Sequence, residues 1–152
     1  MWLSHLNLFY FFVLTKRPII TFTGDTYGGD NWTAVCTADN TASTNTATNY
    51  PAFNYANTYG STYCSGTNYT SGWYVPSISE LCTLYKNMTL INASLSIVGG
   101  TQIDANMYWS SSQCSGASAL VWSVDFTKGF IKGSVDSCYK AADNHVRVIR
   151  AF

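Results

Sequence analysis

An α+β fold is expected from three features of this chain. Helix signals, each with its own start or stop residue, fill the stretch before about residue 100. Beyond Gly99-Gly100 the apolar spacing turns from helical to alternating and stays so to the end. No internal repeat interrupts this order, and 152 residues suit one domain. The expected architecture is a set of short helices followed by a twisted antiparallel sheet.

The first stretch is the least regular. Leu6 to Leu14 (LNLFYFFVL) is apolar but only about half the length a bilayer crossing needs, so no membrane span is expected. Lys16 and Arg17 follow this run instead of preceding it, and no small-residue cleavage site appears. It reads as a poor export signal, a first strand, or residues foreign to the domain added by an upstream start. Residues 1–21 are therefore set apart as a leader, and 22–152 are taken as the domain.

Thr23 to Asn31 (TGDTYGGDN) is a turn-rich loop. Asp30 or Asn31 is placed to cap a helix through Trp32, Val35 and Cys36, whose spacing puts them on one face. A polar loop from Thr37 to Asn49 precedes a second helix starting at Tyr50-Pro51. Proline suits a first turn, where the missing amide hydrogen has no partner to lose. Gly60 is expected to stop this helix. After the Ser61–Ser71 loop comes the strongest local signal, Trp73-Tyr74-Val75-Pro76-Ser77-Ile78-Ser79-Glu80-Leu81. Ser77 and Glu80 have the spacing of a capping box, and Leu81, Leu84 and Tyr85 continue the buried face. A further helix from about Leu90 to Val98 ends at the glycine pair. Strands are expected at Met107–Ser111, Ala119–Phe126, Phe130–Gly133 and His145–Ala151. In the last, Val146 and Val148 should face the core while Arg147 points out.

Composition narrows the function classes. Charged residues are only 11% and the formal net charge is zero, with no basic run, which excludes a nucleic-acid binder. A surface of Ser, Thr, Asn and Gly suits an extracellular or cell-surface bacterial protein. The five cysteines show no C-x-x-C spacing, which argues against structural zinc or a redox pair. Cys36 and Cys82 fall on helical segments, where a thiol acts as a small hydrophobe. Pairing of Cys114 with Cys138 stays open. The histidines are His5, in the leader, and His145, too few and too loosely placed for a thiol–imidazole site. Asp125, Asp136 and Asp143 are too scattered for a calcium cage, and Asp25 and Asp30 are only a weak structural ion candidate. Neither catalysis nor a cofactor is expected.

What remains is recognition. Gln113–Ala117 and Asp136–Asn144 contain little that builds a core, so they read as loops on a rigid sheet. The candidate ligand-binding residues are Gln113, Ser115, Ser118, Trp122, Lys128, Phe130, Lys132, Tyr139, Lys140, Asp143, Asn144 and His145, aromatic anchors among adaptable polar groups. The competing reading is a solvated sheet edge with half of these aromatics inside, and Trp122, alternating with Val121, fits either. Trp73, Tyr74, Tyr108 and Trp109 are expected in the core. Arg147 and Arg150 are expected to pair with Asp125 or Glu80.

Several segments together resemble one bacterial family. They are Trp73-Tyr74-Val75-Pro76-Ser77 with Glu80-Leu81, Tyr108-Trp109-Ser110-Ser111-Ser112, Val124-Asp125-Phe126 with Gly129, and Val146-Arg147-Val148-Ile149-Arg150-Ala151-Phe152. Phe22-Thr23-Gly24-Asp25, Asp30-Asn31-Trp32 and Tyr50-Pro51-Ala52-Phe53 fit as well. In order and spacing the set resembles the Lcl C-terminal domain, also known as domain of unknown function 1566 and related to the FISUMP-type domain. The resemblance implies a C-type-lectin-like fold, secreted or surface-anchored, that binds a surface protein or glycan. It also implies kinship with domains whose last strands are rewritten by diversity-generating retroelements. Met1 to Ile20 does not look like the first strand of that fold. A fainter likeness of Trp73–Glu80 to formylglycine-generating oxidases gives an enzymatic alternative, but the close pair of reactive cysteines it implies is not matched by the distant Cys114 and Cys138. A structural spacer is the third reading.

Overall fold

The computed structural model describes residues 11–12, 24–38, 50–115, 117, 119–128, 135–140 and 142–151. Four helices occur among them: α1 (Gly28–Ala38), α2 (Pro51–Tyr63), α3 (Ile78–Lys86) and α4 (Met88–Val98). The strands are β1 (Phe11–Phe12), β2 (Trp73–Tyr74), β3 (Met107–Gln113), β4 (Leu120–Asp125), β5 (Val135–Tyr139), β6 (Asn144–His145) and β7 (Ile149–Arg150). Helices precede most of the sheet, so the α+β layout holds. No described helix is long and apolar enough to cross a membrane.

The main sheet has five strands in the order β1-β6-β3-β4-β5, and β2 pairs separately with β7. It is mixed, not wholly antiparallel as expected, because β6 runs parallel to β3 while the other pairs are antiparallel. Phe11–Phe12 pairs with Asn144–His145, so this dipeptide of the apolar leader forms a strand at the sheet edge. The segment read as a single strand from His145 to Ala151 splits between two sheets. Val146 and Val148 are buried between its two short strands. Strand β5 occupies part of the stretch read as the Asp136–Asn144 loop; its Val-Asp-Ser-Cys-Tyr sequence alternates too weakly to announce itself. The strand expected at Phe130–Gly133 lies outside the described residues.

Local chemistry explains the helices. Pro51 opens α2. Gly60 does not stop α2 but sits buried inside it, because a Cβ there would lie 2.5 Å from the Thr70 backbone. The helix runs on to Tyr63. Ser77 caps α3 with the full reciprocal box, Ser77 Oγ accepting from the Glu80 amide and Glu80 Oε2 from the Ser77 amide at 2.9 Å. Glu80 does more than cap. The same Oε2 accepts from the Gly28 amide at 2.9 Å, and Oε1 accepts from the Tyr74 hydroxyl at 3.0 Å. One carboxylate thus joins the start of α1, the start of α3 and β2. Gly28 allows this approach, since a Cβ would stand 2.1 Å from the Val75 carbonyl oxygen. Gly99, at φ 70°, closes α4 in the left-handed conformation that glycine adopts freely.

Two apolar clusters fill the interior. Val35, Phe53, Tyr59, Val75, Trp109, Val121 and Val146 belong to one; Leu81, Ile103, Tyr108, Val124 and Phe126 form the other, with Leu84 and Tyr85 against it. Adjacent Tyr108 and Trp109 fall in different clusters, as the two-residue period of a strand requires. From Tyr108 to Gln113 every residue of β3 is buried, because α1 and α3 both contact it. Its serines are satisfied there. Ser110 Oγ donates to the Trp122 carbonyl at 2.6 Å and Ser112 Oγ to Gly24 at 2.8 Å, while Ser112 Oγ accepts from the Ile78 amide at 2.9 Å. Ser111 Oγ accepts from Asn31 Nδ2 at 2.7 Å. These bonds tie the loop before α1 and the start of α3 to the central strand.

Candidate functional site

On one face of β4, Val121 and Ser123 are fully buried; on the other, Val124 is buried in the second cluster while Leu120 and Trp122 are only partly buried. Residues two apart on a strand share a face, so Leu120 and Trp122 continue that second face beyond Val124, where it is left partly open. In the register with β5, Leu120 stands opposite Tyr139 and Trp122 opposite Ser137. Tyr139 therefore joins that open strip, and it is 71% exposed. This resolves Trp122: it lies on the partly open face, with Val121 turned to the core. Leu120 escaped the sequence reading, although its alternation with buried Val121 was the available signal.

The turns at this end of the sheet are fixed by backbone bonds. Cys114 N donates to Leu120 O at 3.0 Å, Leu120 N to Ala117 O at 3.0 Å, and Lys140 N to Ala119 O at 3.0 Å. Ala142 N closes the next turn on Tyr139 O at 2.8 Å. Exposed Ser115 rides on the first turn, and exposed Asp143 follows the second.

Beneath them lies an internal pin. Lys140 is 3% exposed and donates its Nζ to Gln113 Oε1 at 2.7 Å. Gln113 is itself 5% exposed. Both were expected on the outer face, and both are corrected: they tie the end of β3 to the turn after β5. Long side chains bury when a buried partner takes their polar ends, and that partner is distant in sequence. Burial pulls the Lys140 pKa from its ordinary 10.5 down to about 8.

His145 is the third correction. At 3% exposed it faces inward beside Tyr108, ring centroids 5.4 Å apart, with Nδ1 3.5 Å from Asp104 Oδ1. Asp104 also accepts from the Tyr108 hydroxyl at 2.6 Å, and burial followed by that bond raises the Tyr108 pKa. Asn144 is half-buried on β6, across β3 from the strip. Lys128 is exposed but lies past the far end of β4, roughly 17 Å of strand from Leu120. There it pairs with Asp125 at 3.1 Å, and its carbonyl accepts from the Tyr85 hydroxyl. The structure thus gathers Ser115, Trp122 and Tyr139 toward one end and separates Lys128, Asn144 and His145 from them, while exposed Asp143 lies on the stretch that leads from β5 to β6. Ser118, Phe130 and Lys132 lie outside the described residues.

The expected core aromatics Tyr74, Tyr108 and Trp109 are buried, and Trp73 is half-buried against Tyr59 at 4.7 Å. The arginines do not pair as expected. Asp125 is taken by Thr127 and Lys128, and Glu80 by its three hydrogen bonds. Arg150 donates to the Ser71 carbonyl at 2.9 Å and stands over the Tyr69 ring. Arg147, expected to point out, is half-buried and donates to the Thr101 carbonyl at 3.1 Å. Cys114 is buried and in no disulfide, so the pairing with Cys138 that the sequence left open is not formed. Cys82 packs half-buried beside the second cluster with its pKa raised by burial, as a small hydrophobe would. The side chain of Cys36 lies outside the described residues.

The arrangement offers a partly apolar strip with a hydroxyl group at its margin. Such a surface suits binding by aromatic burial and hydrogen bonds. No curated protein and no solved structure matches the chain. The family model of the Lcl C-terminal domain matches residues 22–150, nearly the whole of the sequence. The protein belongs to the Lcl C-terminal domain family.

Proposed function

We propose that this is a non-enzymatic recognition domain of the bacterial cell surface or exterior, with a C-type-lectin-like fold. It takes its ligand, a surface protein or a glycan, on the strip of Leu120, Trp122 and Tyr139, flanked by Ser115 and with Asp143 on the stretch that follows Tyr139. The observation that carries this reading is Tyr139, 71% exposed on a backbone anchored in two places: its own carbonyl closes one turn, and the next residue, Lys140, is pinned below. A tyrosine has only two side-chain torsions to fix, so one on an anchored backbone loses little entropy on binding. Binding of this kind depends only modestly on salt. The same positions are those a diversifying retroelement would rewrite, since their side chains are not part of either core cluster. A template repeat in the neighbouring DNA, differing at the codons for Ser115, Trp122, Tyr139 and Asp143, would support that extension.

The test is an array of glycans and bacterial and host surface proteins probed with the labelled domain and with Tyr139→Ala. Retention on particular spots, lost in the variant at unchanged melting temperature, is the expected outcome. Absence of any specific spot, or retention indifferent to Tyr139→Ala and to a Ser115→Ala, Asp143→Ala double variant, contradicts it.

A further inference from the structure

We propose that the outer face of α4 is a self-association surface, on which a second copy of this chain lays its own α4 antiparallel about a twofold axis. Met88, Ile91, Asn92 and Leu95 are half-buried toward the body, the first two against the second cluster. On the opposite side, Leu90, Ala93, Ser94 and Ile97 are all exposed and line up as one stripe at helical spacing. Leu90 is 70% and Ile97 86% exposed, with Val98 at 42% beside them. No residue of α4 is charged. Ser94 Oγ donates to the Leu90 carbonyl at 3.0 Å, so the hydroxyl of the stripe is satisfied within the helix and covering it strands no polar group. Single exposed aliphatics are ordinary, but large ones aligned on an uncharged helix mark a contact surface.

Two features select a second copy as the occupant. The stripe reads large-small-small-large and is the same in either direction. A twofold axis between Ala93 and Ser94 sets Leu90 of one copy against Ile97 of the other, and the small central pair lets the helices come close. The other feature is charge. Helix α4 has no acidic residue in its first turn and no basic residue in its last, so neither end of its dipole is offset from within the helix. Antiparallel pairing brings each positive end beside the negative end of the other copy, whereas a parallel copy would put like ends together. It also sets exposed Lys86, which closes α3 just before α4, at the C-terminal end of the other copy's α4, where a cation is favoured. The contact is small: α4 has 11 residues and extends only about 16 Å. The pair therefore buries less than the ~800 Å² per partner of a standard interface, and a dissociation constant on the order of 0.1 mM is expected.

Sedimentation equilibrium of the full-length protein from about 10 µM to about 1 mM tests this. The weight-average mass should climb from monomer toward dimer, and Ile97→Glu should hold it at the monomer throughout. Because Ile97 is exposed, that variant should melt as wild type does at low concentration. Lys86→Glu should weaken association about three-fold. Tyr139→Ala should leave it unchanged, so the outcome does not depend on the strip. Under mild oxidation Ser94→Cys, beside the axis, should give a disulfide-linked dimer above the wild-type level, and Leu90→Cys should not. A protein that stays monomeric over the whole range, an assembly that Ile97→Glu leaves intact, or cross-linking through Leu90→Cys instead of Ser94→Cys overturns the proposal. In the first case, retention on phosphatidylcholine vesicles that Ile97→Glu abolishes would assign the face to a lipid surface instead.

Discussion

Three elements meet at Glu80, through its bonds to Gly28, Tyr74 and Ser77. Ser77 and Glu80 sit three apart, so their capping box could be read directly, whereas the bond from Gly28 to Glu80 spans 52 positions. The same close approach makes Gly28→Ala a severe change: the added methyl would meet the backbone of residues 75–77 at 2.1–2.9 Å, and a loss of about 3 kcal/mol or more is expected in chemical denaturation. Lys140 was read as a surface lysine because nothing nearby in sequence reveals its burial. Its lowered pKa has a signed consequence. Between about 8 and 10.5 the unfolded chain holds this proton and the folded chain has released it, so stability rises with pH through that window. The slope should approach 1 kcal/mol per pH unit at its steepest, and Lys140→Met should abolish it. The raised tyrosine pKa values act oppositely, because stability is lost once the unfolded phenols ionise above about 10. The raised thiols of Cys64 and Cys82 also oppose it from about pH 9, so the Lys140 contribution is read as the difference in slope between wild type and Lys140→Met from pH 8 to 10.

Among the elements, α2, α3, β3 and β4 were legible in kind because each carries a period or a cap. Strand β5 and the split of the last strand were not, since short strands are fixed by the partners they meet. Helix α4 has no buried residue, and its Leu90 and Ile97 are 70% and 86% exposed. It is held by half-buried Met88 and Ile91 against the second cluster and by Asn92, whose Oδ1 accepts from the Ile103 amide and whose Nδ2 donates to the Ile103 carbonyl, both at 2.7 Å. Leu90→Gln with Ile97→Gln should leave stability within about 0.5 kcal/mol, whereas Asn92→Ala should cost about 1–3 kcal/mol and speed amide exchange along α4. On β3, Ser112→Ala removes a donor and an acceptor at once and should cost a similar 1–3 kcal/mol or so by thermal melting.

At the scale of the molecule, the sequence carried the order of helices and strands and the family motifs. The candidate surface came through only in part. Ser115, Tyr139 and Asp143 were legible because they are polar or aromatic and lie near turns; Gln113, Lys140 and His145 have the same composition signature but face inward. The folded chain combines a pinned interior with an outer margin where Ser115, Tyr139 and Asp143 are exposed. Thermal melting of two variants compares them most directly. Replacing Ser115, Tyr139 and Asp143 together by alanine should leave the midpoint within about 2 °C of wild type, while Gln113→Ala, which strips the buried Lys140 of an acceptor, should lower it by about 5 °C or more. A triple variant that melts as far below wild type as Gln113→Ala would contradict a stiff platform with a chemically free outer face.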